Sequence, residues 1–179
     1  MALPKAVALV KPWVYCPFPA TTHVITSRDQ ILPNAVGFIY KITNLLTGRI
    51  YIGRKVFEHK TKRKATLREK AAALALNTKS RVRVVRGVKD SAWASYWGSC
   101  DELKRDMLTL GIEHFHREIL EFCCNKKYLN YSEVEHMIKY DVLRRNSYNG
   151  NIAGKFYRAD VLNCPEGDAT PASEDVLHD

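Results

Sequence analysis

Residues 36–53, VGFIYKITNLLTGRIYIG, carry the pattern that decides how the rest of this 179-residue chain is read. Residues 36–43 are rich in β-branched and aromatic side chains, Asn44 and Gly48 bracket a turn, and RIYIG at 49–53 resumes the strand pattern. A tight β-hairpin is expected. Side chains alternate across a strand, so Phe38, Tyr40 and Ile42 share one face while Ile39 and Lys41 occupy the other. Tyr51 then lies across from Tyr40 or one pair along, close enough for the two phenols to serve one site. Two ordinary strand aromatics packed on a core would produce the same pattern.

Immediately beyond the hairpin the chain turns basic. Between Arg49 and Lys89 stand fourteen Lys or Arg against two acids, Glu58 and Glu69, whereas the remainder of the chain carries 14 basic and 17 acidic residues. All of the excess behind the net charge of +9 therefore lies in one segment. Such a stripe fits a polyanionic partner, with phosphate contacts supplying salt-dependent affinity; a merely solvated face is the bland alternative. No apolar run is long enough to span a bilayer, and MALPKAVALVKPW lacks a signal-peptide h-region and cleavage site, so a soluble cytoplasmic protein that does not enter membranes is expected. The five cysteines, Cys16, Cys100, Cys123, Cys124 and Cys164, show no CxxC spacing, which argues against a disulfide framework or zinc site and for reduced, mostly buried thiols.

The rest of the chain reads as one domain with an arm and a tail. Residues 1–34 hold five prolines and are expected to form an extended N-terminal arm wrapping the domain. Residues 56–90 form a basic insertion: ATLREKAAALAL at 65–76 reads as a helix, and KSRVRVVRGVKD at 79–90 alternates in strand fashion. A helix over 101–110 is expected with Asp101 as N-cap and Gly111 as its stop, then a strand in FHREILEFC at 115–123. A second helix follows over 130–143, with Asn130 or Ser132 as its cap. The tail at 159–179 has six acids and no Lys or Arg, and is expected to be disordered at its end. The order β-β-α-β-α implies an α/β (α+β) fold with a small central, mainly antiparallel sheet and flanking helices.

GFIY at 37–40 followed by YIG at 51–53 resembles the signature of the GIY-YIG nuclease family, with Phe38 inserted in the first triplet. YWGS at 96–99, DELKRDMLTLG at 101–111, FHREIL at 115–120, LNYSEVEHMIKYDVL at 129–143 and SYN at 147–149 follow in the order of a phage-type branch, so the resemblance covers residues 35–158. It implies the GIY-YIG nuclease fold and a Mg²⁺-dependent DNA endonuclease of compact phage or restriction-like type, in a bacterial or phage-infected host cell. Mn²⁺ is a possible substitute ion, double-stranded DNA the partner, and 5′-phosphate and 3′-hydroxyl ends the products. Homing enzymes of the family often carry a separate DNA-reading domain. Here sequence preference is expected from the basic insertion, the arm or a dimer, the chain acting as monomer or homodimer.

Within that resemblance each group receives a role. Tyr40 is the expected general base, since cations near a phenol favour phenolate, and Tyr51 positions water or phosphate or shares that role. Family members use an arginine after YIG to clamp phosphate; Arg54, Arg63 and Arg68 are the candidates, with Arg54 and Arg63 ranked first. A late-helix carboxylate is the expected metal ligand. Met137 and Tyr140 share the helix side of Glu133, which makes Glu133 the choice and leaves Glu135 exposed. Asn149 resembles the closing asparagine that holds the site, with Asn151 as competitor. Lys55, Lys60, Lys62, Lys64, Arg68, Arg81, Arg83 and Arg86 are expected to contact DNA. Two other classes stay in view: a non-catalytic nucleic-acid-binding module that keeps the fold, and an interaction protein using the basic stripe on an acidic partner.

Overall fold

The computed structural model describes residues 11–18, 21–77 and 82–163. Strands β1 (Trp13–Phe18), β2 (Thr21–Ile25), β3 (Gly37–Asn44) and β4 (Ile50–Val56) come first, followed by β5 (Glu58–Lys64), helix α1 (Leu67–Leu76) and β6 (Val84–Asp90). Helix α2 (Asp101–Leu110), β7 (Phe115–Cys123) and α3 (Lys126–Lys139) precede a short pair, β8 (Asn151–Ile152) and β9 (Phe156–Tyr157), and helix α4 (Arg158–Leu162). The central sheet runs β2-β1-β7-β3-β4, antiparallel except where β1 meets β7.

The hairpin β3–β4 forms where its alternation requires. Asn44 makes the turn: its side chain accepts from the backbone N–H groups of Leu46 and Thr47, and Gly48 takes the left-handed φ of 69° that closes it. Phe38, Tyr40 and Ile42 point into one core with Trp13, Phe57, Trp93 and Leu103, while Ile39 and Ile52 point into a second beneath α3 with Leu129 and Met137. Each face of the hairpin is thus buried against a different layer. Fully burying side chains of this size stabilises the sheet by roughly 1.5–3 kcal/mol each.

The stretch read as a proline-rich arm supplies two of the five strands. Pro17 falls within the shift of register between Tyr15 and Phe18 in the β1–β2 pairing, past the two β1 residues, Val14 and Tyr15, that pair with β7. Residues 1–10 and the tail beyond 163 lie outside the described residues. The first five residues at and after the expected domain end at 158 form α4 instead of tail, beginning with Arg158 itself.

Three local expectations are corrected. Helix α2 has Cys100 at its N-cap position and Asp101 in its first turn, where the carboxylate faces the positive end of the helix dipole. Helix α3 begins at Lys126, because Asn125 accepts from the Tyr128 N–H at 2.8 Å, so neither Asn130 nor Ser132 is the cap. It stops at Lys139, because Asp141 takes a left-handed φ of 49° and sends Val142 and Leu143 back into the core. Of the four cysteines in the described residues only Cys123 is buried; Cys16 and Cys124 are exposed at strand ends. Among the described residues no helix is long and apolar enough to cross a membrane.

The insertion is a structure of its own. Strands β5 and β6 pair only with each other, as a two-stranded ribbon continuing from β4 through the buried Phe57. Helix α1 joins their far ends and starts with a capping box in which Thr66 and Glu69 satisfy each other's backbone N–H.

Candidate active site

Tyr51 lies one pair along from Tyr40: Tyr40 pairs with Gly53 and Ile42 with Tyr51, and the two rings stand 6.1 Å apart on the same face. Gly53 is the space that the Tyr40 ring occupies. A Cβ there would sit 2.6 Å from the Tyr40 hydroxyl and 3.2 Å from the Tyr51 ring. Gly98 does the same for Tyr51, with a left-handed φ of 87° and a virtual Cβ 3.0 Å from that ring. Next to it, the Ser99 hydroxyl lies 3.3 Å from the Tyr51 hydroxyl. Tyr96 meets Tyr40 edge-on at 6.0 Å, so YWGS at 96–99 forms the wall opposite the hairpin. A bulge in β7 opposite Ile39 and Tyr40 adjusts the sheet at this point.

Strand parity divides the two cations after YIG. Arg54 pairs with Ile39 and points to the α3 side, where its Nε reaches the Glu133 carboxylate at 2.9 Å. Lys55 pairs with Phe38 on the tyrosine side, with its ammonium 3.8 Å from the centre of the Tyr96 ring. Strand β4 is the last strand of the sheet, with Arg54 on one of its faces and Lys55 on the other. The charge of Glu133 reaches both phenols, helping to raise the pKa of each. Glu135 is exposed.

Burial dominates the site's electrostatics. Tyr40 is 1% exposed, and desolvation, followed by the charges of Tyr51 and Tyr96, holds its phenol well above the usual value. The shift runs upward, and the charges that add to it are those of Tyr51, Tyr96 and Glu133. Desolvation also raises Tyr51, against the hydrogen bond with Ser99. Glu133 is raised by burial against the opposing charge of Arg54, and Lys55 is lowered by burial against Asp90.

Residues 21–161 match the family described as “Putative endonuclease segE, GIY-YIG domain”. The chain belongs to the GIY-YIG endonuclease family. No curated protein and no solved structure matches it.

The closing Tyr-Asn of the GIY-YIG domain acts on the hairpin backbone. Asn149 is buried and accepts from the Ile52 N–H at 2.9 Å while donating to the Ile52 carbonyl at 2.8 Å, standing in for a neighbouring strand at the free edge. Tyr148 accepts from Asn44 at 2.9 Å and donates to Asp106 at 2.7 Å, tying the hairpin turn to α2. Asn151, the competitor, is exposed and closes a turn with Gly154. Arg158 donates to the carbonyls of Val142, Ser147 and Asn149, all at 2.9–3.0 Å, and so holds the segment that carries Asn149.

Sequence reasoning missed Arg117. It is 1% exposed, lies between the rings of Trp13 and Trp97, and donates to the carbonyls of Tyr96, Ala94 and Lys11. With carbonyl partners and no carboxylate, burial lowers its pKa to about 10. The usable signal was parity: Arg117 alternates with Phe115 and Ile119 on the inward side of FHREIL.

The remaining candidates are not gathered at the tyrosines. Arg63 sits towards the far end of the ribbon, bound to Glu69 through both terminal nitrogens at 2.8 and 2.5 Å. It does not join Tyr40, and neither does Arg68, which is exposed on α1. Lys60, Lys62, Lys64 and Arg86 are exposed along the ribbon and Arg83 just before it, while Arg81 lies outside the described residues.

Proposed function

We propose that this GIY-YIG endonuclease domain hydrolyses phosphodiester bonds of double-stranded DNA in a divalent-metal-dependent reaction that leaves 5′-phosphate and 3′-hydroxyl ends. The observation that carries this reading is the tyrosine pair itself, Tyr40 and Tyr51 with rings 6.1 Å apart over Gly53 and the Ser99 hydroxyl beside Tyr51. As phenolate, its proton given up to solvent, Tyr40 would take a proton from the attacking water as the water oxygen bonds to phosphorus; the P–O3′ bond breaks, and the leaving O3′ takes its proton from a solvent water. Tyr51 orients the water or a phosphate oxygen by hydrogen bonding. Arg54 is the favoured phosphate clamp, being the only one of the three candidate arginines that touches a residue of the site. Lys55 adds positive charge on the tyrosine side. Asn149 is a positioning residue.

Among the described residues no group of three or more His, Cys, Asp or Glu is arranged to hold an ion, so an all-protein cage does not fit. A single partly desolvated carboxylate does fit Mg²⁺, or Mn²⁺ in its stead, bound also by substrate phosphate and water. Glu133 would hold the ion, which supplies positive charge to activate water and lower the phenol's proton affinity.

One observation favours the non-catalytic binding module: Tyr40 is 1% exposed, and burial holds its phenol well above the usual value. A single assay separates the readings. Wild-type, Tyr40→Phe and Glu133→Ala proteins are incubated with plasmid in magnesium or in chelator. Cutting by wild type alone, and only with magnesium, supports the enzyme. Wild-type binding with every plasmid and branched duplex left intact supports the module, and cutting by Glu133→Ala but not Glu135→Ala moves the metal ligand.

A further inference from the structure

The two faces of the β5–β6 ribbon are unequal. One carries the cross-strand pairs His59/Lys89, Thr61/Gly87 and Arg63/Val85. Helix α1 engages this face through the Arg63–Glu69 pair, and Val85 is partly buried. The other face presents three successive rungs: Lys60 with Val88, Lys62 with Arg86, and Lys64 with Val84. Every one of these side chains is exposed, and the valines remain 63% and 48% accessible. The acidic rung Glu58/Asp90 bounds this face at the ribbon's base.

Two details are unfavourable in an isolated ribbon. Lys62 directly opposite Arg86 sets like charges face to face, which destabilises a strand pair. Exposed valines on a solvated face remain in contact with water. An anionic partner with apolar groups relieves both. A face serving phosphates alone would explain the cations and leave the valines without a role.

The geometry points to this open face as the element that reads DNA sequence from the major groove. The inference rests on the DNA-endonuclease reading above. A two-stranded ribbon enters the major groove, about 12 Å wide, and not the minor groove of about 6 Å. Successive rungs on one face are ~6.8 Å apart, which is about two base-pair steps of ~3.4 Å. Three rungs lying along the groove therefore span about five base pairs. Lys62 and Arg86 suit the O6 and N7 acceptors of guanine, and the valines suit the thymine methyl. The expected preference is guanine at the centre of the site with thymine about two steps away on either side. Phe57, buried where β4 passes into β5, couples this reading face to the strand that carries Tyr51.

The test is binding selection from a randomised duplex pool in chelator, so that no cutting is needed. Wild type should enrich a motif of about five base pairs. Replacing its purines by 7-deaza purines, which removes major-groove N7, should weaken binding about tenfold, whereas inosine for guanine, which removes only the minor-groove amino group, should not. Lys62→Ala/Arg86→Ala and Val84→Ser/Val88→Ser proteins should lose the motif with unchanged circular dichroism. No enriched motif, a motif sensitive to inosine alone, a motif retained by both variants, or tighter binding to RNA would each overturn the inference. Failure of wild type to cut plasmid would instead overturn the enzyme reading while leaving the selection result standing.

Discussion

The hairpin β3–β4 and the ribbon β5–β6 are two antiparallel pairs of similar length joined at Phe57, and they meet opposite environments. The hairpin is buried on both faces, and its charged groups are few and committed, as Lys41 is to Glu118 and Arg54 to Glu133. The ribbon is exposed on both strands and crowded with cations. Strand pairing alone therefore says little about role. In the hairpin, desolvation sets the pKa values and fixes the geometry; in the ribbon, unpaired charge and solvent access make a surface for a partner.

The sharpest way to break this contrast is at the phenols. Tyr40→Phe or Glu133→Ala should lower plasmid cleavage by roughly 10²–10⁴-fold, the range of a lost acid–base or ion-binding group, while duplex binding in chelator stays at the wild-type level. Equal loss of binding would place DNA affinity in the hairpin and erase the division of labour.

Next in size is the clamp on the hairpin's edge. Asn149→Ala removes both hydrogen bonds to Ile52 and strands a buried N–H and C=O, for a loss of about 2–4 kcal/mol by urea unfolding. Neutralising Lys60, Lys62, Lys64 and Arg86 together should do the reverse. Stability should change by less than about 0.5 kcal/mol, whereas the salt dependence of duplex binding should flatten by about 0.9 for each phosphate that is no longer neutralised. A large stability loss in the second protein would show that the ribbon is part of the core.

The two smaller effects concern pH. Burial raises Glu133 and the charge of Arg54 opposes it, so at limiting magnesium, where the ion-free carboxylate must ionise to bind the metal, the acid limb of cleavage should lie above the ordinary carboxylate range, and Arg54→Gln should move it higher still in a pH–rate profile. Glu69 goes the other way. Arg63 and the Thr66 N–H hold it at about 2 against an ordinary 4.5, so its support of the α1 cap is complete above 4.5 and is lost as pH falls towards 2. The group is exposed and screened by salt, so the readout is local: faster amide exchange in α1 at low pH, already present at neutral pH in Glu69→Gln.

What was legible in the sequence follows the range of the interactions. Alternation within one strand sufficed for the faces of Tyr40 and Ile39, and helical spacing to Met137 sufficed to turn Glu133 inward. Asn149 was recognisable as a motif, but its partner Ile52 is 97 residues away and leaves no local trace. Arg117 received no role although its parity with Phe115 and Ile119 points inward, because its carbonyl partners have no sequence signature. The first two strands were hidden by the prolines in and beside β1, which mark a break in regular pairing without revealing that Pro17 falls in a register shift between β1 and β2. Arg54 and Lys55 are adjacent in sequence and on opposite sides of a sheet; only the register decides which meets the carboxylate.

The base of the ribbon has an engineering consequence. The Ser91 N–H donates to the Phe57 carbonyl at 3.0 Å, and the Ser91 hydroxyl donates to the Val56 carbonyl, so the two ends of the segment between them are already side by side. A short turn could bridge Phe57 to Ser91 without stretching the sheet. The ribbon and its helix then become an exchangeable cassette: deleting them leaves a minimal domain, and inserting another ribbon at the same joint swaps the targeting part while the tyrosine pocket stays as it is.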